Sequence, residues 1–172
     1  LSPDFTHKLS QGAVFLNVTN KNELKKAFQK MITTLKKKRS RVDTFMLQKM
    51  APPGLDLIFG GKRDPHYGPV ILLGLGGTDV EARGKAICFI APLSLGMAED
   101  MLASLNGPSL IRAGHKTVTK ALTRFSQLLV DNPHIQEIDL NPVRLLPDKG
   151  TIRVLDVRIK LSSNCFDKGE RK

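Results

Sequence analysis

The stretch that decides the fold is EIDLNPVRLLPDKGTIRVLDVRI, from Glu137 to Ile159. Two apolar runs with β-like composition flank the tetrapeptide Pro147-Asp148-Lys149-Gly150. Proline presets φ, aspartate bonds to its own backbone, and glycine tolerates positive φ, so this tetrapeptide has the chemistry of a tight turn. The stretch therefore predicts a β-hairpin near the carboxyl end of the chain.

The symmetry of this hairpin predicts which residues face each other. If the turn is centred on its two middle residues, Asn141 lies opposite Asp156, and Asp139 lies opposite Arg158. Opposed residues share a face, and side chains alternate along each strand, so all four lie on one face. The predicted core face carries the apolar residues in between, namely Ile138, Leu140, Leu155, Val157 and Ile159.

The polar face admits two interpretations. Asp139, Asn141 and Asp156 would bring three oxygen-bearing side chains together, and Mg²⁺ prefers carboxylate and amide oxygens with water or phosphate in its other positions. The alternative is a solvated sheet face on which Asp139 and Arg158 form an ordinary cross-strand ion pair. Periodicity alone leaves both interpretations open.

The rest of the chain predicts further helices and strands. Asn20 and Glu23 resemble a capping box that begins a helix from about Asn22 to Lys37, and Ser94 caps a short second helix. A third helix is predicted from about Thr117 to Val130. Strands are predicted at 42–50, 55–63, 70–77 and 86–90. The order helix, several strands, two helices and a hairpin predicts an α+β fold rather than an alternating βαβ array.

Composition limits the class of protein and its partners. With 172 residues and 41% hydrophobic content, the chain can bury the core of a globular domain, and it has neither an apolar run of membrane-spanning length nor a signal peptide. Two cysteines without a C-x-x-C pattern predict neither disulfides nor zinc, which suggests the cytoplasm. The net charge of +11 suits nucleic acid, an anionic membrane or a polyanionic small ligand such as a nucleotide. One Tyr and no Trp supply little base stacking, so nucleic acid is not favoured.

Three long stretches together resemble one family. They are SPDFTHKLSQGAV (Ser2–Val14), LQKMAPPGLDLIFGGKRDPHYGPVILLGLGGTDVE (Leu47–Glu81) and the hairpin sequence quoted above. They resemble the ATP-grasp domain of NDP-forming acyl-CoA synthetases, including the β subunit of ADP-forming acetyl-CoA synthetase. The resemblance implies an ATP-grasp-like mixed sheet with helices on one side over residues 1–161. Residues 162–172 would be a polar, basic, disordered tail.

The resemblance also implies roles for particular residues. Lys8 and Arg63 would be catalytic, and Asp139, Asn141 and Asp156 would bind magnesium. The nucleotide-binding residues would lie at the hinge between the lobes, beside the ribose and the phosphates, and in the adjoining glycine loop. They are Gln48, Lys49, Met50, Ala51, Asp56, Lys62, Gly76, Gly77 and Glu81.

The implied activity is phosphoryl transfer with Mg²⁺ and ATP or ADP, as part of an acid–thiol ligase. It would require CoA-binding and phosphohistidine-carrying domains or a subunit that supplies them. The chain departs from the family in two places. It begins at Leu1, without the strand that usually precedes this segment, so the first lobe would be incomplete. Gln11-Gly12 stands where the family usually has two adjacent glycines. These departures keep open a degenerate, non-catalytic relative that binds a nucleotide or a protein.

Overall fold

The computed structural model describes residues 14–37, 44–77, 86–105, 111, 114–147 and 150–162. The chain divides into two compact units, Leu1–Ala51 and Pro52–Lys172. The predicted disordered tail lies outside the described residues except for Ser162.

The first unit contains helix α1, Lys21–Lys37, which confirms the first predicted helix. The Asn20 side-chain oxygen accepts hydrogen bonds from the backbone N–H groups of Asn22 and Glu23, both at 3.0 Å. The Glu23 carboxylate accepts from the backbone N–H of Thr19 at 2.8 Å and from its hydroxyl at 2.9 Å. These bonds from Thr19 lower the pKa of Glu23. The capping box is therefore present, with Thr19 rather than Asn20 receiving the reciprocal contact.

The strand predicted for 42–50 is wrong over its described part. Residues 44–50 have no regular secondary structure, and Leu47 is 73% exposed. A strand exists only through hydrogen bonds to a neighbouring strand, and the described part of this unit contains no other strand. High β propensity without a partner strand therefore leaves the segment exposed and without regular structure.

The second unit is built on a six-stranded sheet in which the described pairings are antiparallel. The strand order is β3-β2-β1-β4-β5, and β6 also pairs with β4. The strands are β1 (Leu55–Asp64), β2 (Gly68–Leu75), β3 (Ile87–Ile90), β4 (Ile135–Leu145), β5 (Ile152–Val154) and β6 (Val157–Leu161). Three predicted strands and the pairing of the hairpin strands are thereby confirmed. The two middle residues of the predicted turn, 148 and 149, lie outside the described residues.

The register predicted for the hairpin is also confirmed. Asp139 is the partner of Arg158, and the Asn141 backbone N–H donates to the Asp156 carbonyl at 3.2 Å. The second arm of the hairpin is divided into β5 and β6, because its residues 155 and 156 are not assigned to either strand. The pairing nevertheless keeps one register from Leu145 to Glu137, and it shifts only between Glu137 and Ile135.

Two helices cover one face of the sheet. They are α2 (Leu95–Ser104), whose first turn is capped by the Ser94 hydroxyl accepting from the Met97 N–H at 3.2 Å, and α3 (His115–Asp131). The core between helices and sheet includes Leu57, Phe59, Ile71, Leu73, Met101, Val118, Leu122, Leu129, Val143 and Leu145. The predicted α+β fold with helices on one side of the sheet is confirmed.

The predicted core face of the hairpin is only partly correct. Ile138 is buried, but Val157 is 50% and Ile159 is 52% exposed. The register between β1 and β4 shifts between Leu57 and Phe59, and the buried positions of β4 change from Ile138 to Val143 across this bulge. Among the described strands β6 pairs only with β4, so its apolar side lies at an edge that the helices do not cover.

Ser126 provides a test of how α3 is attached to the loop before α2. Its hydroxyl, fully buried, accepts from the backbone N–H of Leu93 at 2.8 Å. In Ser126→Ala this N–H loses its partner inside the core, and we expect the free energy of unfolding to fall by about 1–3 kcal/mol. Denaturant unfolding measures the loss. The exposed Ser104→Ala on α2 is the matched control and should change stability by less than about 0.5 kcal/mol; equal effects would contradict the assignment.

Candidate functional site

The face of the sheet opposite the helices, here called the open face, holds most of the predicted site residues that the structure describes in the second unit. On β1 the core residues Leu57 and Phe59 alternate with Asp56, Gly60 and Lys62, so the latter three point to the open face. Gly60 has Asp139 as its partner on β4. The open face therefore joins the nucleotide residues predicted on β1 to the metal residues predicted on the hairpin.

The predicted magnesium residues lie on two consecutive positions of one ladder. Asp139 pairs with Arg158, and two residues further along β4 the backbone of Asn141 bonds to that of Asp156. The Asp156 carboxylate accepts from the Val157 N–H at 3.1 Å and lies 3.9 Å from the Arg158 Nε. The structure thus places the Asp139 and Asp156 carboxylates beside the Arg158 guanidinium, with Asn141 opposite Asp156 in the ladder.

The electrostatics of Asp139 fit a cation. Burial raises the pKa of this half-buried carboxyl, Arg158 acts to lower it, and the negative charges of Asp156 and Glu137 raise it further. A group of carboxylates that destabilise one another's charge is relieved by a divalent ion. In the described part of the chain no three His, Cys, Asp or Glu residues form a metal-binding group. Asp139 and Asp156 would supply two carboxylates and Asn141 one amide oxygen, a donor set that suits a hard divalent cation whose other positions are taken by water and phosphate.

Asp56, predicted to hold the ribose, forms a bidentate ion pair with Arg144. Arg144 Nε lies 2.7 Å from one carboxylate oxygen and Nη2 lies 2.8 Å from the other. Both side chains are about one-fifth exposed, at 21% and 20%. Asp56 raises the pKa of Arg144. The sequence analysis missed Arg144, and only the pairing of Asp56 with Arg144 across β1 and β4 could have found it.

The two predicted loop glycines differ in what they do. The Gly76 N–H donates to the Asp56 carbonyl at 2.8 Å, and a Cβ at Gly76 would lie 3.2 Å from the Asp56 Cβ. Gly76 therefore holds the end of β2 against Asp56, and its N–H is already bonded. Gly77 follows with φ of +119°, a conformation that favours glycine, and it is exposed.

Lys62 and Arg63, expected together near the phosphates, lie on opposite faces because they are consecutive in β1. Lys62 is exposed on the open face, with Glu137 as its partner on β4. The Arg63 guanidinium instead donates to backbone carbonyls around the end of α3, at 2.6 Å to Leu129, 3.4 Å to Asn132 and 3.4 Å to Ile135. Its geometry gives Arg63 a helix-capping role, and the implied catalytic role stays a prediction.

The remaining predicted site residues lie either in the first unit or outside the described residues. Lys8 and Glu81 lie outside the described residues. The hinge residues Gln48, Lys49, Met50 and Ala51 end the first unit, with the first three exposed. Their binding roles stay predictions.

Comparison with known proteins defines the class first. The family model of the ATP-grasp domain matches residues 1–161, which span both units. The chain therefore belongs to the ATP-grasp family. Its relatives are ADP-forming acyl-CoA ligases, so the resemblance described from the sequence is confirmed.

The relatives show how much of such a protein the chain represents. It is 36% identical over 169 residues to the 4-hydroxybutyrate–CoA ligase (ADP-forming) of Nitrosopumilus maritimus, covering 93% of this chain and 24% of that protein. It is 30% identical over 152 residues to subunit β of acetate–CoA ligase (ADP-forming) I of Pyrococcus furiosus, covering 83% of this chain and 66% of the subunit. The chain thus spans about a quarter of the first relative's length.

A solved structure agrees with the fold. The dinucleotide-forming acetyl-coenzyme A synthetase 1 of Ca. Korarchaeum cryptofilum, in complex with coenzyme A and Mg-AMPPCP, matches with a TM-score of 0.72 and 33% identity. The match covers 94% of this chain and 74% of that chain. In the described part of the present protein, no helix is long and apolar enough to cross a membrane.

Arg63→Met tests the helix-capping role. Methionine keeps much of the aliphatic length but loses the charge and the three hydrogen bonds to carbonyls, so we expect stability to fall by about 1–3 kcal/mol. Chemical denaturation measures the change. Lys62→Met, one residue away on the open face, removes the same charge and should cost less than about 0.5 kcal/mol. An unchanged stability in Arg63→Met would contradict the capping role.

Asp139→Asn tests the unfavourable charge on the open face. Because the pKa of Asp139 is raised on folding, its contribution to stability is present below the ordinary carboxyl pKa and is lost as pH rises through the raised folded value. Without metal, the variant should therefore gain stability relative to the original chain between about pH 4 and pH 7, by less than about 1 kcal/mol because the group is partly solvated. Thermal melts in EDTA across this range measure the difference, with exposed Glu99→Gln on α2 as the charge-matched control. If Asp139→Asn instead loses stability relative to the original chain as pH rises, the change would have the opposite sign to the one predicted and would contradict the raised pKa.

Proposed function

We propose that this chain is the nucleotide-binding ATP-grasp portion of an NDP-forming acyl-CoA synthetase. It would bind ATP or ADP with Mg²⁺ on the open face and take part in phosphoryl transfer. The observation that carries this proposal is the pairing of β4 with the second arm of the hairpin, which brings Asp139 and Asp156 close to each other on the same face as Asp56 and Lys62. A cytoplasmic location goes with the proposal, as expected from the cysteine usage.

Each residue of the open face would have a separate task. Asp139, Asn141 and Asp156 would hold the metal ion, which would supply positive charge that neutralises the phosphates. Lys62 extends from β1 on the same face and would lie beside the phosphates as a point charge. Asp56, held by Arg144, would present its carboxylate at a fixed position toward the ribose hydroxyls.

The proposed partners follow from the length of the chain. It spans 24% of the 4-hydroxybutyrate–CoA ligase to which it is similar. The CoA-binding and phosphohistidine-carrying parts would be supplied by other domains or by another subunit. Acid–thiol ligation is thus proposed for the assembly and not for the isolated chain.

A second candidate is a relative that binds nucleotide or a protein without catalysis. Two observations favour it: the Asp56 carboxylate already uses both oxygens with Arg144, and Arg63 is engaged by backbone carbonyls. Such a chain would keep the fold and the metal-binding face but would show no phosphoryl transfer when combined with the other synthetase domains.

Titration calorimetry with the full 172-residue chain tests the proposal. MgATP, MgADP and MgGTP are titrated into the chain and into Asn141→Ala and Asp156→Ala, with EDTA samples and Glu99→Gln as controls. We expect binding that requires magnesium and weakens at least about tenfold in both site variants, with Glu99→Gln unchanged. Binding that is indifferent to EDTA and to both substitutions would contradict a magnesium-dependent site on the hairpin.

A further inference from the structure

The open face carries a cation of its own beside the proposed magnesium residues. Arg158 is the β6 partner of Asp139, and its Nε lies 3.9 Å from an Asp156 carboxylate oxygen. Its positive charge acts on Asp139 against the combined influence of burial, Asp156 and Glu137. The Arg158 guanidinium is therefore a neighbouring positive charge for both carboxylates that the proposed function assigns to magnesium.

The charges along this ladder are unequal. Glu137 lies between Lys62 of β1 and Lys160 of β6, and Asp139 faces Arg158, so each of these two rungs carries at least one cation. At the next rung Asp156 lies opposite Asn141, an amide without charge. Asp156 is thus the carboxylate with no cation directly opposite it, and Arg158 is the cation two residues further along the chain, in β6. The Arg158 side chain is 52% exposed, so the guanidinium can move from the carboxylates into water with little loss of packing.

We infer that Arg158 is an internal counter-ion that occupies the Asp139–Asp156 carboxylate pair when no metal is bound and that competes with magnesium for it. This inference rests on the proposed function, because it concerns regulation of the same site. Arg158 would act as a positioning residue: it keeps the two carboxylates together in the metal-free protein and sets how tightly the site takes a divalent ion. The same arginine then limits filling of the site by free metal.

The physical basis is charge repulsion at short range. A dication held by Asp139 and Asp156 would lie within a few ångströms of Arg158, and its own attraction to the carboxylates must replace that of the guanidinium. Removing Arg158 removes both the competitor and the repulsion. The effect is moderate because the residues are partly solvated and salt screens them.

Binding of Mn²⁺ alone to the full chain, followed by electron paramagnetic resonance of the free ion, tests the inference. Arg158→Gln should bind Mn²⁺ about three to ten times more tightly at low salt. Lys160→Gln is the matched control, since it removes the same charge from the same face of β6 two residues away, about 7 Å along the strand; its effect should be smaller. Arg158→Lys keeps the charge and should bind within about twofold of the original chain.

A second readout follows the metal-free protein. In EDTA, Arg158→Gln should lower the melting temperature, and Asp156→Asn should reduce that loss, because the substituted groups are coupled. The melts also show that each variant is folded. Tighter Mn²⁺ binding together with lower metal-free stability supports the counter-ion role.

The outcomes separate this inference from the proposed function. Mn²⁺ binding that is lost in Asp156→Ala but unchanged or weakened in Arg158→Gln keeps the magnesium site and overturns the counter-ion role. Mn²⁺ binding absent from all variants, together with no magnesium-dependent nucleotide binding, overturns both. If Mn²⁺ affinity rises equally in Lys160→Gln and Arg158→Gln, the loss of one net positive charge explains the effect, and a specific role for Arg158 is overturned.

Discussion

Strand β4 pairs on both of its edges, and this double pairing is the constraint on which the second unit depends. β1 lies along one edge, and β5 and β6 lie along the other. Because side chains alternate, a slip of one residue would turn Asp139 toward the helices and Ile138 toward water. An unpaired carboxylate in the core would cost several kilocalories per mole, so burial of the apolar side fixes the polar side as well. The core and the candidate site are therefore specified by the same register.

The bulge in β4 extends this constraint along the strand. Leu57 pairs with Val143 while Phe59 pairs with Leu140, so β4 has one more residue than β1 in this interval. An extra residue reverses the alternation, and for that reason Asp139 and Arg144 can both reach the open face despite their odd and even positions. Without the bulge, the Arg144 guanidinium would point into the core. The ion pair between Asp56 and Arg144 and the carboxylate pair of the hairpin can share a surface only because of this irregularity.

The parts of the structure that the sequence predicted are those determined by local interactions. The register of the hairpin followed from its turn, and the start of α1 followed from the cap at Asn20. Interactions between distant segments were missed, because neither periodicity nor turn chemistry shows which strands become neighbours. The pairing of Asp56 with Arg144 and the contacts of Arg63 with the end of α3 are of this kind. The predicted strand at 42–50 failed for the related reason that β propensity forms no strand without a neighbour.

The two sequence interpretations of the polar face are compatible in the folded protein. An ion pair between Asp139 and Arg158 and a metal held by Asp139 and Asp156 would use the same oxygens at different times. The raised pKa of Asp139 shows that the arginine does not fully offset burial and the neighbouring carboxylates. Such residual repulsion lowers the folding stability of the metal-free protein. Binding of a ligand with a higher positive charge would relieve the repulsion, so the same free energy would favour binding. Full neutralisation by a second arginine would make the metal-free open face more stable and would lower its affinity for magnesium.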